Sequence, residues 1–149
     1  MGELQVEKLR NNPLKARYIK QLLADIVALE QIQENKMFEH SPIRIGAEQE
    51  FCLVDESWQP SNKALEVLKN IEDPHFTTEL ALYNLEINLD PIPLSGNCFS
   101  EMHLQLDHLL AMANKVAEES ATKIILCGIL PTISKRHLNF EYLTPTPRY

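Results

Sequence analysis

Between Ile43 and Asp55 the chain alternates with a period of two. Ile43, Ile45, Ala47, Phe51 and Leu53 fall on one face, with Gln49 its only polar member, and Arg44, Gly46, Glu48, Glu50 and Cys52 fall on the other. The pattern predicts one continuous strand with an apolar and an acidic side. Leu85, Ile87 and Leu89 alternate with Glu86, Asn88 and Asp90 in a second strand, which Pro91 ends. The preceding Phe76 to Tyr83 is also strand-compatible, with Tyr83-Asn84 as an irregularity or bulge. Lys123 to Leu130 has no alternation and predicts a strand buried on both faces, stopped by Pro131. Three segments carry helical spacing instead. Asn12-Pro13 reads as a cap and first helical position, and apolar residues from Ile19 to Ile32 recur at helical intervals until about Glu34. Ser61 or Asn62 caps a short helix carrying Leu65, Val67, Leu68 and Ile71, and a longer helix runs from about Ser100 to Ser120.

These elements predict an α+β fold: a mainly antiparallel sheet with helices packed on one face and the acidic face left open. Strand parity makes Glu48 and Glu50 neighbours about 7 Å apart. If the two alternating segments share a sheet, Glu86 joins them. Like charges so placed repel unless water, a base or a metal lies between them, and hard divalent ions such as magnesium prefer carboxylate oxygens. The plainer reading of such a face is a solvated outer surface.

At 149 residues, 44% of them hydrophobic, the chain fits a single domain able to bury about two thirds of its unfolded surface. Its net charge of -7 argues against a nucleic-acid partner, which calls for a clustered basic face. No apolar run approaches the length of a membrane span, and the first residues lack the basic-then-apolar order of a signal peptide, so a cytoplasmic protein is expected. Cys52, Cys98 and Cys127 show no C-x-x-C spacing and read as free thiols. His103 and His108 lie five apart on a helix and diverge, which fits packing or solvent better than shared ligation. Four glycines are too few and too scattered for a phosphate-cradling loop. The apolar stripe of the first helix has two readings, docking or oligomerisation on one hand and packing on the domain's own sheet on the other.

Three blocks, in order and spacing, resemble the N-terminal portion of the glutamate–cysteine ligase family of carboxylate–amine ligases. They are Ile45-Gly46-Ala47-Glu48-Gln49-Glu50-Phe51, Glu79 through Tyr83-Asn84-Leu85-Glu86-Ile87-Asn88, and, after a long helix, Ile124 to Pro131. The resemblance covers residues 43–149 and leaves 1–42 as an N-terminal helical extension. It implies a sheet that forms part of a half-barrel, with Glu48, Glu50 and Glu86 holding magnesium against the phosphates of ATP. It carries over no catalytic residue and no ATP-clamping residue. The implied reaction is ATP-dependent amide formation on the side-chain carboxylate of glutamate, through an acyl phosphate attacked by an amine such as cysteine. Asn88 and Ile129-Leu130 depart from the threonine and the Thr-His pair of many relatives, and they leave the amine open. Phe140 to Tyr149 stops inside what resembles a longer domain, so the chain is expected to be inactive alone and to self-associate as a homo-oligomer. The alternative is a non-catalytic metabolite-binding or protein-interaction module derived from that fold.

Overall fold

The computed structural model describes residues 12–146. They fall into two compact units, residues 12–43 with Thr146, and Arg44–Pro145.

The first unit is built on helix α1 (Asn12–Glu34), none of whose residues is buried. Its end follows from backbone chemistry. Lys36 turns into the left-handed region at φ 53°, which lets the Met37 N–H reach the Ile32 carbonyl at 2.9 Å and the Lys36 N–H reach that of Gln33 at 3.1 Å. Two carbonyls that the last turn would leave unpaired are thereby satisfied.

The second unit runs β1 (Arg44–Ile45), β2 (Glu48–Val54), α2 (Ala64–Ile71), β3 (Phe76–Thr78), β4 (Asn84–Asn88), β5 (Ile92–Pro93), α3 (Cys98–Glu119) and β6 (Lys123–Ile125). Four strands make an antiparallel sheet in the order β3-β4-β2-β6, and β1 pairs with β5 in a separate ribbon. The fold is α+β, with antiparallel sheets and helices. The alternation of β2 and β4 places Phe51, Leu53, Leu85 and Ile87 on one face, each fully buried. There they meet Ala64, Val67 and Ile71 of α2 and Leu109, Ala113 and Ala117 of α3. At about 25 cal/mol per Å² of apolar surface, this layer is the main source of the unit's stability.

Three expectations are corrected. The single strand from Ile43 to Asp55 is broken at Gly46-Ala47, and the pairing register slips by one residue between Glu48↔Asn88 and Ile45↔Ile92. Pro91 explains the break, since it has no N–H to give the ladder and the extra residue is absorbed as a bulge. The strand expected from Lys123 to Leu130 ends at Ile125. It pairs with β2 alone at the sheet edge and stays half-exposed rather than buried on both faces. The strand-like run from Phe76 stops at Thr78, and residues 79–83 form the connection to β4. The tail returns to this connection: Leu143 bridges Ala81, and the Thr144 N–H bonds the Leu80 carbonyl at 2.9 Å. Its last residues, 147–149, lie outside the described residues, as do 1–11.

Candidate metal centre

The sheet face turned away from α2 and α3 carries the acidic residues. In the β2–β4 ladder Glu50 stands directly opposite Glu86, and Glu48 stands opposite Asn88. Directly opposed side chains in an antiparallel pair start about 5 Å apart at Cβ, so two glutamates there face each other across the sheet. Thr77 of β3 extends the same row beyond Glu86. Glu79 follows two residues later and keeps the parity of Thr77, which brings it over Glu86 and Glu50. One carboxylate oxygen from each of Glu50, Glu79 and Glu86 lies within 4.8 Å of the other two.

Glu48 and Glu50 share a face and together line a groove of about 530 Å³ with Cys127 and Gly128. Glu48 stands outside the converging set, because its cross-strand neighbour is the amide Asn88 rather than an acid. Glu79 takes the third place. The signal for it lies in the alternation of Phe76, Thr78 and Leu80 against Thr77 and Glu79: carried one residue past the strand end, it puts Glu79 on the acidic side. That signal is weak, since nothing in the pattern says that a residue beyond the last ladder pair will hold its direction.

What holds it is the returning tail. The Thr144 hydroxyl donates to the Glu79 carbonyl, and the Leu80 and Leu82 backbone is fixed by Thr144 and by the Tyr142 carbonyl. The connection is therefore clamped from both sides.

The electrostatics are those of an uncompensated cluster. Glu86 is only 7% exposed and accepts a hydrogen bond from Asn88 Nδ2 at 2.8 Å. The Leu80 N–H donates to Glu79 Oε2 at 3.3 Å. Burial lifts the Glu79 carboxyl above its ordinary value, and a hydrogen bond with Glu86 and the charges of Glu86 and Glu50 lift it further against the smaller opposing effect of the Leu80 N–H. Among the described residues no lysine, arginine or histidine forms an ion pair with any of the three. Lys123 shares their sheet face, four residues along β2 from Glu50 by register, or about 13 Å. It lies instead over the Trp58 ring, 5.1 Å from the centroid.

Three hard oxygen donors with no basic partner among the described residues are the donor type that hard divalent metals take. An octahedral magnesium ion with bonds of about 2.0–2.1 Å holds opposite ligands about 4.2 Å apart. Any three octahedral ligands include at least two cis pairs, about 2.9 Å apart, so the oxygens, now within 4.8 Å of one another, would have to draw together by up to about 2 Å through rotation of the long glutamate side chains. Beside the cluster an open hollow of about 210 Å³, lined by Glu50, Glu79, Tyr83, Asn84 and Ile129 among others, leaves room for further ligands.

Compared with models of known protein families, with curated proteins and with solved structures, the chain matches none. Among the described residues, no helix is long and apolar enough to cross a membrane.

Proposed function

We propose that Glu50, Glu79 and Glu86 hold a magnesium ion that binds nucleotide phosphates, and that the chain supplies the carboxylate side of an ATP-dependent carboxylate–amine ligase active site. The observation that carries this reading is the convergence of three carboxylates from β2, β4 and the β3–β4 connection, with no basic partner among the described residues. The resemblance of the Gly46 and Glu86 blocks to glutamate–cysteine ligases supports the reaction class, with glutamate as the acid and cysteine or another amine as the nucleophile. Magnesium, when bound, would offset the repulsion between anionic ATP and an anionic carboxylate. The chain's own part is to position. Glu50 and Glu86 fix two donors through the sheet ladder, and Glu79 adds a third from a clamped connection. Glu48, on the groove beside Glu50, would accept a hydrogen bond from a substrate group entering that groove.

Magnesium titration at pH 7.5, with and without ATP, tests this reading by calorimetry and thermal melting. Binding is expected to be weak alone and at least tenfold tighter with ATP, because magnesium relies on phosphate oxygens for part of its shell. Glu50→Gln and Glu86→Gln should each abolish the tightening, and Asp107→Asn, on an exposed face of α3, should not. Equal binding by all three variants would overturn the assignment.

A further inference from the structure

A second constellation lies beside the acidic cluster. Cys52 is 1% exposed on β2, Cys127 is half-buried just past the end of β6, and their sulfurs are 3.9 Å apart although 75 residues separate them in sequence. The sheet explains the meeting. Cys52 pairs with Ile125, so Cys127, two residues further along the same edge, is the diagonal neighbour of Cys52 on the same face. The Cys127 thiol donates to Cys52 Sγ, and the Cys52 thiol donates to Asn84 Oδ1 at 3.9 Å. A disulfide needs the two Cβ atoms about 3.8 Å apart, closer than diagonal neighbours ordinarily stand. The backbone can give at only one end. Cys52 is fixed between β4 and β6, whereas the ladder stops at Ile125 and Gly128 follows Cys127 with open space where a Cβ would stand.

We propose that Cys52 and Cys127 form a redox-active dithiol, closed to an intramolecular disulfide by exchange with small-molecule disulfides. The Cys127 thiolate attacks one sulfur of the disulfide RS–SR. The S–S bond breaks, and RS⁻ leaves to take up a proton. Cys52 then loses its proton, attacks the Cys127 sulfur of the mixed disulfide and expels the second RS⁻. The protein gives up two electrons and two protons, and one RS–SR becomes two RSH. The order follows from burial, because only Cys127 is within reach of a reagent. Cys52, buried and 3.9 Å from the Cys127 sulfur, meets only the mixed disulfide on that sulfur and so acts in the second step. Closure draws residues 126–128 toward β2, and these residues form one wall of the groove that Glu48 and Glu50 line. The inference rests on the cysteine geometry and is independent of the magnesium reading.

The test is incubation of the native protein with 2-hydroxyethyl disulfide, alkylation of the remaining thiols and peptide mapping without reduction. Two of the three thiols should be lost to a Cys52–Cys127 linkage carrying no hydroxyethylthio group, with Cys98 alkylated only after unfolding. Cys52→Ala should stop at a stable mixed disulfide on Cys127, and Cys127→Ala should leave Cys52 unreacted. A lasting mixed disulfide on wild-type Cys127, a linkage involving Cys98, or three intact thiols would each overturn the proposal. The wild-type map decides even where Cys52→Ala fails to fold.

Discussion

Replacing Glu79 by glutamine should stabilise the metal-free protein, although it removes a partly buried group that takes part in hydrogen bonds. Glu79 has one carboxylate oxygen within 4.8 Å of Glu50 and of Glu86. Two unit charges at that distance repel by about 0.9 kcal/mol in water and about 3.5 kcal/mol at an effective dielectric of 20. Glu50 is exposed and Glu86 is buried, so the first pair lies near the lower figure and the second somewhat above it, before solvent and a shared proton relieve both. A net gain of about 1–2 kcal/mol at pH 7.5 follows, or roughly 3–6 °C in Tm for a domain of this size. The pH dependence has a fixed sign. Because the folded state holds the Glu79 proton above the ordinary value of 4.5, the contribution of this group to stability is fully present below 4.5 and is lost as pH rises through the elevated folded value. Glutamine cannot ionise, so the advantage of Glu79→Gln should be largest at neutral pH and vanish by pH 4. Melting curves followed by circular dichroism from pH 4 to 8 measure it directly. Magnesium should narrow the difference. At ten times its dissociation constant a ligand adds about 1.4 kcal/mol to the protein that binds it, and the variant should gain less than wild type. A variant no more stable than wild type at pH 7.5, or one whose gain is the same at pH 4, would refute the reasoning.

Leu85→Ala, at a fully buried position in the layer between sheet and helices, should cost about 2–5 kcal/mol in urea unfolding. Thr78 is 6% exposed and its hydroxyl has no hydrogen-bond partner, so Thr78→Val should stabilise by about 1 kcal/mol in the same assay. His75 is raised above 6.5 by its hydrogen bond to Asp73 at 2.7 Å and then by that to Asp90 at 3.2 Å, against a smaller lowering by burial. Its contribution is present below 6.5 and lost as pH rises through the folded value, so melting should show His75→Gln costing about 1 kcal/mol at pH 5.5 and less at pH 8.5. Ile19, Leu22, Ile26 and Leu29 of α1 repeat at heptad spacing and are all about half-exposed. Sedimentation should therefore show self-association at micromolar concentration, abolished by Leu22→Lys with Ile26→Lys.

The layered core was legible because it depends on parity and helical spacing, which are local. Phe51, Leu53, Leu85 and Ile87 face the helices because residues two apart on a strand share a side wherever that strand is placed. The elements that failed depended on partners the pattern does not name. Ile43 to Asp55 alternates with only Gln49 out of pattern, yet the ladder opposite it is interrupted by Pro91, and a strand is only as continuous as its neighbour. Lys123 to Leu130 has the apolar run of a central strand but ended at an edge, where only one side is paired and the other is open to water.

The acidic cluster shows where this boundary falls for function. Parity alone makes Glu48, Glu50 and Glu86 equivalent candidates, since all three lie on one sheet face. Register decides among them: the ladder sets Glu50 against Glu86 and Glu48 against Asn88. Two adjacent acids cost free energy and so can hold a cation, whereas an acid facing an amide costs little. Glu79 completes the group through a contact of still longer range, the return of Thr144 across 65 residues to its carbonyl. That dependence is itself a consequence to be measured. Thr144→Val removes the hydroxyl that anchors the connection while leaving all three carboxylates in place. If the clamp is what aims Glu79, the variant should lose the magnesium-induced rise in Tm to about the extent that Glu79→Gln does, at little cost to the sheet. A full magnesium response in Thr144→Val would show that the connection holds Glu79 without the tail.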